Sequence, residues 1–316
     1  MSRVLLAFPD LQTLGTEVAA QVGARHGALA WRRFPDGESL VTLDTELANA
    51  DVLLLAALRD PDRAALALRF AAETAREFGA RSVGLIAPYL PYMRQDTRFH
   101  PGEAVSAPLF ARFLEQSVDW LVTVDPHLHR NPTLDRLFSI PTRNVAAAPA
   151  MAEWVRQHVP AAVLIGPDSE SAQWVADIAA RADLPYQVLT KVRHGDRDVS
   201  VSLPDAGAAR GRRPVVVDDI VSSGHTMIET LRHLSGLGLA PAICLVTHAV
   251  FSDETHGQLL AAGAQRVVST DTIPHPTNAL SVAPSLALAC HALLADLAVR
   301  EAWQGAIAAT GPTYHS

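Results

Sequence analysis

Residues 214–226 read Pro-Val-Val-Val-Asp-Asp-Ile-Val-Ser-Ser-Gly-His-Thr, and this stretch indicates how the chain folds. Its opening apolar run has no polar alternation, which is typical of a strand covered on both faces in a parallel sheet. Two carboxylates, Asp218 and Asp219, follow at the predicted strand end, and small residues then lead into a helical pattern. A strand, a small-residue turn and a helix in this order form the repeating unit of α/β proteins.

Working outward, similar apolar runs recur along the chain and alternate with helical patterns. The predicted strands are 4–8, 51–58, 82–88, 120–124, 162–165, 186–190, 214–217, 243–247 and 266–269. The predicted helices are 60–79, 104–117, 147–158, 170–182, 224–237, 254–263 and 285–304. This alternation predicts an α/β protein with two doubly wound, mostly parallel-sheet domains. We expect these domains at 1–145 and 146–305, with the last helix available to pack on the first domain. The phrases VTVDPH at 122–127 and STDTIPHP at 269–276 resemble each other and indicate a duplicated domain.

Composition narrows the class of protein. The 316 residues are 49% hydrophobic and 19% charged, which excludes a disordered chain. A formal net charge of −7, without a Lys/Arg-rich run, argues against nucleic acids and membrane surfaces as partners. Cys244 and Cys290 lie in apolar stretches and have no metal-binding spacing. Neither a signal peptide nor an uninterrupted apolar run of membrane-span length is present, so we expect a cytoplasmic protein.

The 214–226 stretch is also the best candidate for a ligand site. Backbone amides from Ser222 to Thr226 lie at a predicted helix start, where they suit a phosphate group. Asp218 and Asp219 suit vicinal hydroxyl groups, so the segment predicts a sugar-phosphate site. The alternative is an ordinary helix capped by a Ser or Thr side chain. A GxxxxGK[ST] motif is absent and Gly236 and Gly238 lack a third glycine, so the common nucleotide-binding motifs do not apply.

Three further strand ends carry polar groups. The 88–103 loop contains Arg94 and Arg98, whose guanidinium groups suit phosphate oxygens unless the loop is simply solvated. His127 and His129 follow another strand end, where they could bind a metal or be ordinary exposed or core histidines. Asp168 follows a third strand end, where phosphate or metal contact competes with plain helix capping.

The single lysine of the chain adds a fourth segment. Of 26 Lys and Arg residues, only Lys191 is a lysine, and it stands two residues before Arg193 in a polar stretch that contains glycine. In an extended segment, residues at this spacing suit one phosphate chain, and a compact ammonium charge suits phosphoryl transfer. The alternative is ordinary surface charge.

Together, these segments resemble ribose-phosphate diphosphokinase, also called phosphoribosyl pyrophosphate synthetase. The matching motifs are Arg33-Phe-Pro-Asp-Gly-Glu38, Arg94-Gln95-Asp96, Asp125-Pro-His127, Gly166-Pro-Asp168, Lys191-x-Arg193, Val217-Asp-Asp…Ser-Gly-x-Thr226 and Ser269-Thr-Asp-Thr-Ile-Pro274. The Asp-Asp…Ser-Gly-x-Thr phrase alone is shared with phosphoribosyltransferases, whereas the whole set in this order is specific. The resemblance implies two related type I phosphoribosyltransferase-like domains with the active site between them.

The resemblance further implies a reaction, in which a homo-oligomer (a dimer or larger) transfers the β,γ-diphosphoryl group of MgATP to the 1-hydroxyl of ribose 5-phosphate. The residues implied for ATP are Phe34, Asp36, Glu38, Arg94, Gln95, Asp96 and Arg98, the first three reaching a neighbouring subunit's nucleotide. The residues implied for ribose 5-phosphate are Asp218, Asp219, Ser222, Ser223, Gly224, His225 and Thr226. His127 and Asp168 resemble the positions that engage Mg²⁺, and Lys191 and Arg193 resemble the catalytic pair that clamps the phosphates.

Some positions depart from the commoner bacterial pattern. Pro126 replaces a leucine, residues 169–171 replace glycines, and His225 occupies a position that is usually small. The first two changes are closer to the archaeal-type branch. Three other functions stay open. A phosphoribosyltransferase shares only the 214–226 loop, and a silent regulatory relative is expected to lose His127, Lys191 or Arg193, all of which are present. A pure binding module explains neither the lysine nor the second carboxylate pocket.

Overall fold

The computed structural model describes residues 2–128, 133–193, 199–201 and 209–309. The strands are β1 (Arg3–Ala7), β2 (Arg25–Arg33), β3 (Ser39–Asp44), β4 (Asp51–Leu55), β5 (Ser82–Ala87), β6 (Trp120–Val124), β7 (Thr142–Val145), β8 (Ala162–Gly166), β9 (Tyr186–Val188), β10 (Lys191–Arg193), β11 (Val199–Val201), β12 (Arg213–Val221), β13 (Ala242–Ala249), β14 (Ala264–Thr270) and β15 (Asn278–Leu280). The α-helices are α1 (Gln12–Val22), α2 (Pro61–Glu77), α3 (Ser106–Glu115), α4 (Ala148–His158), α5 (Ala172–Ala182), α6 (His225–Gly236), α7 (Asp253–Ala261) and α8 (Ala283–Ala309).

Two sheets organise these elements. The first has the order β3-β2-β1-β4-β5-β6-β7 and is parallel except for the antiparallel β2–β3 hairpin. The second has the order β15-β14-β13-β12-β8-β9 and is parallel throughout. Strands β4, β6, β8 and β13 are buried along their whole length, as their continuous apolar runs predict. The predicted fold class, α/β with two mostly parallel sheets, is confirmed.

One close contact inside the first sheet admits only glycine. Trp120 is fully buried, and its indole lies directly over Gly84 on the neighbouring strand β5. A Cβ atom placed on Gly84 would lie 1.8 Å from Cε2 of that indole, far inside van der Waals contact. Gly84 therefore provides the space that the largest fully buried side chain occupies.

The structure differs from the sequence-based prediction in several elements, and the short strands β7 and β15 are among those that were not predicted. Helix α1 and the β2–β3 hairpin were not predicted, because α1 contains Gly15 and Thr16 and the hairpin strands are largely exposed. The strand predicted to end at residue 217 continues as β12 to Val221. Main-chain pairing of Asp218 with Val246 and of Ile220 with His248 extends it. The two carboxylates therefore lie within the strand rather than beyond it.

Helix α8 returns to the first domain and packs on α1, β6 and β7. The His291 ring pairs with the Gln21 carbonyl oxygen at 3.0 Å, and the Ser281 hydroxyl donates to Glu17 at 2.9 Å. The window Ala283–Arg300 within α8 has a mean hydropathy of 1.3 and is long enough to cross a membrane, although the sequence shows no uninterrupted apolar run of that length. One third of this window is buried inside the protein, so its packing accounts for part of its apolar character. The domain boundary after residue 145 stays a prediction.

Candidate active site

A cleft of about 330 Å³ opens at the carboxyl ends of the strands, with residues of both domains in its walls. The lining residues are Met93, Arg94, Asp96, Phe99, His127, Asp168, Glu170 and all of 218–227. Carboxyl ends of parallel strands are where open α/β sheets bind their ligands. The structure therefore brings together most of the segments that the sequence singled out.

The floor of the cleft is the turn between β12 and α6. Gly224 adopts a left-handed conformation with φ of 70° and begins the helix, and no described side chain caps it. A Cβ atom at Gly224 would lie 3.0 Å from the Thr255 side chain, so the turn is also tight. Ser223 and His225 are exposed beside it, with Oγ and Nδ1 2.9 Å apart. The alternative of an ordinary Ser- or Thr-capped helix is not what the structure has, and the residues of the first turn up to Met227 line the cleft.

The paired carboxylates differ in their surroundings. Asp219 is 3% exposed, and its Oδ2 lies 2.6 Å from Nδ1 of His127 in the other domain. Burial alone would raise the pKa of Asp219, but the hydrogen bond and charge of His127 outweigh it and lower that pKa below its usual value. Burial, with the negative charges of Asp219 and Asp168, raises the pKa of Asp218 well above its usual value. The pair thus combines an ionised carboxylate with one that holds a proton more readily.

Asp125, two residues before His127, is a buried group that the sequence reasoning did not assign. It has a φ of 34° and is 7% exposed, and its Oδ2 accepts a hydrogen bond from the Ala147 amide at 2.9 Å. Burial raises the pKa of Asp125 to about 7, partly offset by the hydrogen bond from Ala147. Its position at a strand end within the quoted Asp-Pro-His motif was the available signal.

Asp168 both caps a short turn and lines the cleft. Its Oδ1 accepts a hydrogen bond from the Glu170 amide at 3.0 Å, which is the capping role that the sequence left open. Its negative charge also reaches Asp218, because it contributes to the raised pKa there. Glu170 joins it in the lining although sequence reasoning did not select it. A phosphate or metal role for Asp168 stays a prediction.

The 88–103 loop divides into two parts. Arg94 and Asp96 line the cleft, and Arg94 Nη2 donates to the Ile220 carbonyl oxygen at 3.0 Å across the domain interface. Gln95 and Arg98 do not line it: Gln95 Oε1 accepts from the Ser106 hydroxyl at 2.6 Å, and Arg98 Nε donates to the Glu103 carbonyl oxygen at 2.9 Å. Their assignment to ATP stays a prediction.

Phe34, Asp36 and Glu38 form the tip of the β2–β3 hairpin and are not among the residues that line the cleft of their own chain. Asp36 Oδ1 accepts from the Glu38 amide at 3.1 Å, and Phe34 is 37% exposed. This placement leaves the expected contact with a neighbouring subunit as a prediction.

Lys191 and Arg193 lie on β10, where they pair with Val201 and Val199 of β11 in an antiparallel hairpin. Their backbone is extended, which is the condition under which residues at this spacing suit one phosphate chain. Residues 194–198 and His129 lie outside the described residues, and the clamping role of the pair stays a prediction.

Fold and cleft together define a phosphoribosyltransferase-type α/β protein, and residues 135–280 match the phosphoribosyl transferase domain family. Residues 4–117 match the N-terminal domain of ribose phosphate pyrophosphokinase. The chain belongs to the ribose-phosphate pyrophosphokinase family, and it is an enzyme of that type, as its motifs predicted.

Relatives in that family extend over nearly the whole chain. Ribose-phosphate pyrophosphokinase from Methanopyrus kandleri is 34% identical over 286 residues, covering 90% of this chain and 97% of the relative. The same enzyme from Halobacterium salinarum is 32% identical over 287 residues, covering 90% and 99%. Both sources are archaea, in agreement with the branch predicted from Pro126 and residues 169–171. A crystal structure of phosphoribosylpyrophosphate synthetase from Mycobacterium smegmatis shares the fold with a TM-score of 0.81 and 24% identity, covering 94% of this chain and 100% of that chain.

Proposed function

We propose that this enzyme transfers the β,γ-diphosphoryl group of MgATP to the 1-hydroxyl of ribose 5-phosphate, giving 5-phosphoribosyl 1-diphosphate and AMP. One observation carries the proposal: a paired carboxylate and an uncapped helix start lie in consecutive segments of one cleft, which both domains line. A sugar phosphate presents both kinds of group, hydroxyl groups for the carboxylates and a phosphate for the helix start. Arg94, Asp96 and His127 of the first domain form the opposite wall, and we propose that the nucleotide binds there.

Ribose 5-phosphate takes the β12–α6 side of the cleft. Its phosphate accepts hydrogen bonds from the first-turn amides around Gly224, where the helix dipole also favours negative charge. Asp219, held ionised by His127, accepts hydrogen bonds from the ring hydroxyls, and Asp218 holds the second hydroxyl. This orientation presents the 1-hydroxyl toward the opposite wall of the cleft.

Magnesium fits the donor set of the cleft. Mg²⁺ prefers oxygen ligands, and the cleft offers carboxylate oxygens of Asp168, Glu170 and Asp218. Burial first, and then the negative charges of Asp219 and Asp168, raise the pKa of Asp218. A cation would neutralise these neighbouring negative charges. Among the described residues, no group of three or more His, Cys, Asp or Glu side chains is placed to hold a metal. Mg²⁺ usually takes one or two protein carboxylates together with waters and substrate phosphates. When bound, the ion would neutralise phosphate oxygens. Asp168 and His127 would contact the ion directly or through its bound water.

The protein's own contribution is positioning and charge neutralisation. In the transfer, the 1-hydroxyl oxygen bonds to the β-phosphorus, the bond from that phosphorus to the α,β-bridging oxygen breaks, the hydroxyl proton is released and AMP leaves. Arg94 reaches the cleft from the first domain, and Lys191 and Arg193 come from the β10–β11 hairpin. These cations neutralise the transferred group, which is the main requirement of phosphoryl chemistry.

The finer assignments follow from the same scheme. The hairpin tip with Phe34, Asp36 and Glu38 contacts the nucleotide of a neighbouring subunit, so the enzyme is a homo-oligomer. Cytoplasmic location is supported by two buried free thiols, Cys244 and Cys290. A solution mass measurement on the intact chain tests the first point, and a monomer that retains full activity would contradict it.

The test of the function is AMP formation from ATP, Mg²⁺ and ribose 5-phosphate, followed by separation of the nucleotides. We expect AMP to appear only when all three are present, whereas a phosphoribosyltransferase would form none. Asp219→Asn is expected to raise the KM for ribose 5-phosphate by about tenfold or more, since a hydrogen bond to a charged group contributes about 1.5–3 kcal/mol. The exposed Glu254→Gln on α7 is the matched control. Absence of AMP that depends on ribose 5-phosphate would overturn the proposal.

A further inference from the structure

His248 is a fully buried histidine that crosses the domain interface. It lies near the end of β13 in the second domain, with 0% of its surface exposed. Its Nε2 lies 3.1 Å from the carbonyl oxygen of Val124 and 3.3 Å from that of Asp125, both at the end of β6 in the first domain. The ring of Tyr89, also from the first domain, packs against it at 5.1 Å. A polar side chain in this position is therefore committed to contacts between the two domains.

The protonation of the ring follows from its partners. Carbonyl oxygens only accept hydrogen bonds, so Nε2 carries a proton and donates. Burial lowers the pKa of His248 to about 4, so the ring is neutral near pH 7 and Nδ1 is an acceptor. The Thr272 hydroxyl lies 2.9 Å from Nδ1 and 3.0 Å from the Thr247 carbonyl oxygen. Because that carbonyl oxygen already accepts a hydrogen bond from the Thr270 hydroxyl at 2.6 Å, we assign the Thr272 proton to Nδ1. One fixed tautomer satisfies both ring nitrogens.

The His248 contact lies beside the His127–Asp219 contact in both domains. In the first domain, His248 contacts the end of β6, and His127 follows three residues after Val124, the last residue of that strand. In the second domain, His248 pairs in the β12–β13 register with Ile220, the residue after Asp219. The 2.6 Å contact of His127 with Asp219 thus joins the end of β6 to β12, and His248 joins the end of β6 to the neighbouring strand β13.

Resting on the proposed function, we propose that His248 is a positioning residue for the diphosphoryl transfer: it fixes the register of β6 against β12 and β13 and so holds His127 opposite Asp219. Arg94 and Arg59 also cross the interface, to the carbonyl oxygens of Ile220 at 3.0 Å and Val250 at 3.3 Å, but both contacts are partly or wholly exposed to solvent. His248 makes its contacts in full burial, where hydrogen bonds are least exchangeable with water.

Three variants separate positioning from general stability. His248→Leu removes the donor and the acceptor, whereas His248→Gln retains an amide N–H that can reach the same carbonyl oxygens. Val246→Ala, a fully buried truncation two residues away on β13, is the matched control for lost core packing. For each, kcat and KM are measured for AMP formation, and binding of ribose 5-phosphate alone is measured by calorimetry.

We expect His248→Leu to lower kcat on the order of 100-fold, because a misplacement of about 1 Å costs this much in oriented reactions. Binding of ribose 5-phosphate should change less than about twofold, since its phosphate loop belongs to one domain. We expect His248→Gln to recover most of the activity, and Val246→Ala to keep near-normal kcat. If folded His248→Leu matched Val246→Ala in kcat, or lost ribose 5-phosphate binding in proportion to kcat, the inference would be wrong. A wild-type enzyme without AMP formation would instead overturn the proposed function.

Discussion

The contact between His127 and Asp219 is strong enough to be measured as a coupling free energy. The two side chains are 12% and 3% exposed with a nitrogen-to-oxygen distance of 2.6 Å, so little solvent screens them. Removing the partner of a buried charge typically costs about 3–5 kcal/mol, because the charge, here that of Asp219, then stays buried without compensation. We expect His127→Ala to lower the free energy of unfolding by about 3 kcal/mol, the lower end of this range, because the Ile220 amide still donates to Asp219 Oδ1 at 2.8 Å.

Urea unfolding of the wild type, His127→Ala, Asp219→Asn and the double variant provides the measurement. Because the second substitution removes a partner that is already alone, the double variant should lose about 2 kcal/mol less than the sum of the single changes. His225→Ala, an exposed histidine in the same cleft, serves as the stability control and should stay within about 0.5 kcal/mol of the wild type. Additivity within about 0.5 kcal/mol would refute the argument that this pair is coupled across the interface.

Three further predictions follow from other parts of the chain. Lys191→Ala should lower kcat by about 100- to 1,000-fold and raise the KM far less, and near-normal turnover in steady-state kinetics would show that the loop assignment is wrong. Gly84→Ala should destabilise the first domain by about 3 kcal/mol or more in urea unfolding, because its Cβ would overlap the Trp120 indole. The loss should shrink when Trp120→Leu is added, and a persistent loss would exclude that clash as its cause. The folded-state pKa of His248 is about 4, against 6.5 for the free side chain, so the unfolded chain binds an extra proton as the pH falls from 6.5 toward 4. About 3 kcal/mol of stability should be lost over this range. His248→Gln should flatten this part of a stability-against-pH profile, and an unchanged slope would exclude His248 as its source.

The strands that form the two sheets were predictable because burial on both faces leaves a signature in local sequence. β6 is Trp-Leu-Val-Thr-Val and β8 is Ala-Val-Leu-Ile-Gly, and both are wholly buried. The β2–β3 hairpin lacked such a signature because residues such as Trp31 and Arg32 alternate between partly buried and exposed positions. Local pattern therefore predicts interior strands better than edge strands.

The site was predictable where its residues follow one another in the chain, as in 218–226. His248 was not, because its partner Val124 is 124 residues away in sequence and their contact depends on how the two domains meet. Its signal, a polar residue in an apolar run, does not by itself separate a satisfied core histidine from a functional one. The same limit applies to Phe34, whose predicted partner belongs to another copy of the chain.

The return of α8 to α1 means that the chain passes between the two sheets twice, once from β7 into α4 and again from β15 into α8. Each crossing is only two residues long, 146–147 and 281–282, and two extended residues span at most about 7 Å. The second domain therefore stays close to the first as long as α8 remains packed on α1, β6 and β7.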